Sequence, residues 1–279
     1  MDGRPIGIFD SGLGGLTVAR ALMDLSPAEG IVYVGDTARY PYGPRPQGEV
    51  RLFATEIARW LVEERGVKMV VVACNTATAA CLGHLQQTLA VPVVGVIEPG
   101  LRAAARVSRT RRVGLIATTG TISSGAYPRA ARGIELHCLA CPGFVELVEE
   151  GRTTGPEAQS LVERRLRPLR AAKVDTLLLG CTHYPLLART ISDVMGQEVT
   201  LVSSAEETAF EVRAVLNRSG LARPPGPPGE RAWCSSGDPA LFAHLARRLL
   251  SLDLGAVEPV RWAGPALPLS RAPGSRAWA

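Results

Sequence analysis

Lysine is nearly absent: of 31 basic residues only Lys68 and Lys173 are lysines, the rest arginine. Aromatic residues make up just 5% of the chain. No apolar run approaches the ~18–20 residues that a membrane-spanning helix needs, so no membrane partner is expected. The formal charge of +5 is a small excess. Arginines cluster at Arg109, Arg111 and Arg112 and again at Arg164, Arg165 and Arg167, but no aromatic-interleaved basic motif accompanies them, and no nucleic-acid partner is expected. The first apolar run, Ile6–Phe9, stops at Asp10, which argues against a secretory leader and for a cytoplasmic protein. Six cysteines in 279 residues do not make a disulfide scaffold; they read as thiols. What is present is ordinary globular composition, 46% hydrophobic and 20% charged, enough for one large or two medium domains.

Short apolar runs alternate with helical patterns along the chain. Strands are expected at 6–9, 31–34, 69–73, 93–96, 113–116, 176–179 and 200–202. Leu52, Phe53, Ile57, Trp60 and Leu61 recur at helical spacing within 47–65, and Pro156 suits the first turn of a helix running to about Lys173. Continuously apolar strands alternating with helices indicate parallel sheets covered on both faces. A repeat organises them. Val67–Cys74 (VKMVVVAC) aligns with Val174–Cys181 (VDTLLLGC) at an offset of 107, and the same offset aligns Ile6–Phe9 with Val113–Ile116. The expected fold is therefore α/β, with two similar doubly wound parallel-sheet lobes related by a pseudo-twofold axis and a site in the cleft between them. The first lobe takes residues 1–97 plus 207–279, the second 98–206. Further strands at 233–236 and 257–262 would complete the first lobe, residues 221–230 form a surface loop, and the tail from Gly264 is expected to be mobile.

The repeat puts Cys74 and Cys181 at the same place in the two lobes, each following a buried strand and preceding a helix. Ligands of open α/β sheets bind at the carboxyl ends of strands. A helix N-terminus favours a thiolate and offers N–H groups to an anion. Two thiols facing one ligand from opposite sides suit removal of a proton from one face of a carbon and its return to the other. The bland alternative, two buried structural cysteines, fits poorly with their matching register. Asp10 ends the first strand and opens Asp10-Ser11-Gly12-Leu13-Gly14-Gly15, a tight turn that lacks a phosphate-loop pattern. His183 lies two residues beyond Cys181, placed to assist it as acid or base. Cys138 and Cys141 form a single CxxC; without a second ligand pair no zinc site is expected, and a redox pair lacks a strand–CxxC–helix context. Cys81 and Cys234 read as core filler.

Ile6–Val18 (IGIFDSGLGGLTV), Tyr33–Gly43 (YVGDTARYPYG), Val71–Ala77 (VVACNTA), Gly95–Pro99 (GVIEP), Gly114–Thr121 (GLIATTGT) and Leu177–Leu187 (LLLGCTHYPLL) together resemble the glutamate racemases of the cofactor-independent aspartate/glutamate racemase superfamily. A weaker echo lies at Ser236-Gly-Asp238. The resemblance implies interconversion of L- and D-glutamate by two-base α-proton transfer, without cofactor or metal, supplying D-glutamate for peptidoglycan. By that analogy Cys74 serves the D-enantiomer and Cys181 the L-enantiomer. Asp10 assists Cys74, His183 assists Cys181, and a further acid maps to Glu150, with Glu149 as the alternative. Substrate contacts map to Asp10, Ser11, Tyr42, Gly43, Asn75, Thr76, Thr182 and His183. A homodimer is common in the family. The two lysines leave no evident anchor for pyridoxal phosphate. Around Cys141 the family reads close to CPLFVPLVE, whereas this chain has CPGFVELVE, with Gly143 and Glu146 as departures. Rival expectations are an aspartate or other amino-acid racemase on the same fold, a non-catalytic amino-acid-binding protein, and a thiol-redox or metal protein using Cys138 and Cys141.

Overall fold

The computed structural model describes residues 2–262. Ten strands form two sheets: β1 (Ile6–Asp10), β2 (Ile31–Gly35), β3 (Met69–Val72), β4 (Val93–Gly95), β5 (Arg112–Ala117), β6 (Glu135–Ala140), β7 (Thr176–Gly180), β8 (Thr200–Ser203), β9 (Arg231–Ser235) and β10 (Val257–Pro259). The first sheet runs β10-β9-β2-β1-β3-β4 and the second β6-β5-β7-β8. Every pairing is parallel. β1, β3 and β7 are buried along their whole length, which is why they read as unbroken apolar runs.

The repeat extends further than the two aligned strands. The inner order β2-β1-β3-β4 recurs as β6-β5-β7-β8, and the offset of 107 also places Ile31 on Cys138 within β6 and Val93 on Thr200 at the start of β8. Apolar clusters cover both faces of each sheet. Ile6, Ile8 and Val71 face one side of the first sheet, Phe9, Val70 and Val72 the other. β9 and β10, from the far end of the chain, extend the first sheet beyond β2.

Some local expectations needed revision. β6 was not anticipated: it is an edge strand with mostly half-buried residues, and its sequence, ELHCLA, is broken by Glu135 and His137, so it lacks the apolar run that betrays a central strand. It threads Cys138 and ends next to Cys141, so the CxxC does have a strand before it and a helix, Phe144–Glu149, after it. The two thiols nonetheless belong to different apolar clusters on opposite faces of the sheet, and both are free. The helix expected at 47–65 spans Gln47–Glu63, but Leu52 points to solvent while Val50, Ala54 and Ala58 join Phe53, Ile57 and Leu61 inside. The tail from Gly264 lies outside the described residues. Among the described residues no helix is long and apolar enough to cross a membrane.

Candidate active site

The carboxyl ends of β1, β3, β5 and β7 converge where the sheets meet. The lobes touch there through hydrogen bonds: Gly120 N–H donates to the Gly43 carbonyl at 2.8 Å, the Tyr127 hydroxyl to Asn75 Oδ1 at 2.6 Å, and the Thr182 hydroxyl to Asp10 Oδ2 at 3.1 Å. Gly14 sits so close to the second lobe that a Cβ there would run into Thr182 Oγ1 and come within 2.8 Å of His183 Nδ1. A larger residue here would force the Thr182 and His183 side chains to move.

Cys74 caps the helix Asn75–Thr88, its sulfur accepting from Ala77 N–H at 3.5 Å and lying 3.9 Å from Ser11 Oγ. The sulfur is 6% exposed with its residue, and burial pushes the thiol up to about 12, with the charge of Asp10 adding to the shift. The helix N-terminus therefore does not make Cys74 a resting thiolate: desolvation outweighs the N–H contact. Asp10 is fully buried and accepts from Gly12 N–H at 2.8 Å and from Ser11 and Thr182 hydroxyls. Burial raises its carboxyl, while the nearby His183 and these donors oppose the rise.

Cys181 follows β7 as expected, but a short 3-10 turn, Tyr184–Leu187, comes after it before the helix Ala188–Met195 begins. Here the polarising group is a side chain. His183 Nδ1 stands 3.9 Å from the Cys181 sulfur, and Nε2 is 3.3 Å from Glu149 Oε1. Burial works against an imidazolium, yet the hydrogen bonds and charges of Cys181 and Glu149 win, and the imidazole is pushed well above its usual value. The two thiols are near enough for charge on Cys181 to push up Cys74.

The structure separates the two acids, Glu150 and Glu149, to which the resemblance maps the assisting role. Glu150 is exposed and paired with Arg152, whereas Glu149 is buried against His183. One helical step of about 100° separates the two side chains, and the face carrying Phe144 and Val148 turns Glu149 inward. Gly143, one of the two departures, has φ of +95° just before this helix, a conformation that suits glycine far better than leucine. Glu146, the other, faces solvent.

Ser11, Asn75, Thr76 and Thr182, to which the resemblance maps substrate contacts, are all buried. Asn75 Oδ1 takes the Tyr127 hydroxyl, and its buried Nδ2 has no hydrogen-bond partner among the described residues. Thr76 forms a triangle of hydroxyls with Thr118 and Thr121, each pair 3.0 Å apart. Tyr42 differs from the expectation in one respect: its phenol is buried and donates to Asp36, while the neighbouring Gly43 carbonyl accepts from Gly120 N–H of the second lobe. Residues not anticipated are Tyr40, which lies 6.2 Å from the His183 ring and bonds Glu149, and the pair Thr118 and Thr121. The repeat carried a signal for Thr118, since the offset of 107 equates it with Ser11.

Mirrored strand ends thus bring two thiols to the lobe boundary, Cys74 near Ser11 and Asp10 and Cys181 beside His183, and the class of protein they belong to is that of the amino-acid racemases. The chain belongs to the Asp/Glu/hydantoin racemase family, whose model matches residues 16–211, and within it to the glutamate racemases. It is 52% identical over 269 residues to a glutamate racemase of Parafrankia sp., covering 95% of this chain and 97% of that one. Among solved structures it resembles a glutamate racemase of Bacillus anthracis (TM-score 0.88, 40% identity, 93% of this chain and 98% of that one). It also resembles one of Francisella tularensis in complex with D-glutamate (TM-score 0.85, 32% identity, 93% and 98% covered).

Proposed function

We propose that this protein interconverts L- and D-glutamate by carrying a proton between Cys74, the substrate α-carbon and Cys181. The observation that supports this most is the asymmetric pair of equivalent thiols: Cys74 is held neutral beside Asp10, and Cys181 stands beside the His183 cation. In the L-to-D direction the Cys181 thiolate takes the α-proton. The C–H bond breaks and its electron pair stays on the α-carbon. Cys74 then gives its proton to the opposite face, leaving Cys74 as thiolate and Cys181 as thiol. The D-to-L direction runs these steps in reverse.

The α-proton is weakly acidic, so the carbanion needs stabilising. Holding the reacting groups in position contributes about 7–11 kcal/mol of the barrier. Preorganised donors at the carboxylate add several more. Ser11, Asn75, Thr76 and Thr182 are the candidate donors, and the unpartnered Asn75 amide supports a carboxylate at that point. Thr118 and Thr121 extend the set across the lobe boundary. Glu149 and Tyr40 orient His183. Both thiols are nearly covered, so substrate entry requires the lobes to part and reclose. The same reading places the enzyme in the cytoplasm as a source of D-glutamate for peptidoglycan, acting without cofactor as a homodimer.

The test is polarimetry of purified protein with L-glutamate, no added cofactor, beside Cys74→Ser and Cys181→Ser. Rotation should decay with wild type and fall at least about 10²-fold more slowly with either variant, the contribution expected of a positioned acid or base. Wild-type rates in both variants would refute the assignment. Glutamate turning over faster than aspartate, by kcat/KM, separates the substrate classes.

A further inference from the structure

Asp36 immediately follows β2 and is fully buried. Its carboxylate receives four donors. Arg39 Nε (2.7 Å) and the Tyr42 hydroxyl meet Oδ2, while Ser236 Oγ (2.7 Å) and Trp262 Nε1 (2.7 Å) meet Oδ1. The first two belong to the loop that ends in Tyr42–Gly43, the stretch that bonds Gly120 of the other lobe at the lobe boundary. The last comes from well over two hundred residues downstream. Trp262 also lies beneath the Arg39 guanidinium, 4.9 Å from ring centre, and edge-on to Trp60 at 6.1 Å. Asp36 N–H bonds the Asp10 carbonyl at 2.9 Å, so this knot is one residue pair from the Cys74 side of the site.

From this geometry we propose that Trp262 is a positioning residue for the reaction: its indole N–H and ring fix the Asp36–Arg39 knot, which sets the Tyr42–Gly43 main chain against the substrate. A buried carboxylate that loses one of its donors is left undersatisfied, and the loop hung from its other oxygen is free to shift. Nothing else from the chain beyond β10 reaches this loop among the described hydrogen bonds.

This rests on the racemase reading, and the experiment separates the two. Trp262→Phe keeps a ring over Arg39 and against Trp60 but removes the N–H; Trp262→Ala removes both. Steady-state racemisation of each enantiomer is measured with thermal unfolding. Trp262→Phe should raise KM for glutamate about three- to tenfold in both directions with kcat changed less, the pattern of lost uniform binding. Trp262→Ala should raise KM further. A smaller folded fraction lowers Vmax and leaves KM alone, so a purely structural role predicts unchanged KM with a lower melting temperature. Unchanged KM in Trp262→Phe, at any melting temperature, overturns the proposal. Failure of wild type to racemise glutamate overturns the racemase reading instead.

Discussion

The chemistry depends on how two like side chains come to differ. Cys74 and Cys181 occupy equivalent strand ends, but one is buried beside a carboxylate and the other beside an imidazole that Cys181 and Glu149 together push toward its charged form. Glu149 is the residue through which this difference is most easily tested. Glu149→Gln removes the charge that supports the imidazolium and should lower L-to-D kcat about 10- to 100-fold, toward the low end of acid–base contributions. Glu150→Gln, altering an exposed Arg152 pair, should leave kcat within about twofold, since exposed pairs contribute little. The comparison is made by circular dichroism assay of both variants in both directions; a larger loss in Glu150→Gln than in Glu149→Gln would return the role to Glu150. The places of the cysteines, Asp10 and His183 were legible because strand ends and the repeat mark them; Asn75 and Thr76 entered only through the family resemblance. The choice of Glu149 over Glu150 was not, because it turns on the rotational phase of a six-residue helix. Nor was the withdrawal of the Tyr42 phenol, which requires knowing that Asp36 lies beside it.

At the level of elements, what holds the first sheet's edges is polar as well as apolar. Lys68, the residue before β3, is fully buried. Its ammonium meets Glu29 Oε2 at 2.6 Å and the carbonyls of Asp2 and Leu221 at 2.8 Å each. Glu29 in turn accepts from Arg223 N–H at 2.8 Å. One cation thus ties the N-terminus, the turn before β2 and the loop before β9. Lys68→Met leaves Glu29 as an uncompensated buried charge and should cost about 3–5 kcal/mol. Urea unfolding measures it; a loss under about 1 kcal/mol would show that the pin contributes little beyond its packing. Recovery in Lys68→Met/Glu29→Gln would identify the stranded carboxylate as the cause. This pin could not be read from sequence, because nothing local pairs residues 29, 68 and 221. The strands themselves could, since double-sided burial leaves continuous apolar runs. β6 escaped because an edge strand with one wetted face carries no such mark.

The whole molecule is two copies of one four-stranded design joined at their strand ends, with β9 and β10 added to the first. Burying thiols has a global consequence. Cys74, Cys81 and Cys141 are each pushed by burial from 9.0 up to about 12. A group raised in the folded state stabilises fully below its unfolded value and loses that contribution as pH rises through the window between the two. Stability should therefore fall from about pH 9 toward 12, up to three protons being released on unfolding. Urea midpoints taken from pH 8 to 10.5 should decline, and less steeply in Cys81→Ala. A flat profile would mean that these thiols ionise in the native state.

The central claim is that two thiols face one α-carbon from opposite sides. Racemisation of L-glutamate in D2O tests it directly. Each D-glutamate molecule formed early should carry deuterium at the α-carbon, while recovered L-glutamate stays largely protiated, because the thiol that delivers is not the thiol that took. Protium retained in the early D-glutamate, or equal deuterium in both enantiomers from the start, would mean one base serves both faces and would contradict the account.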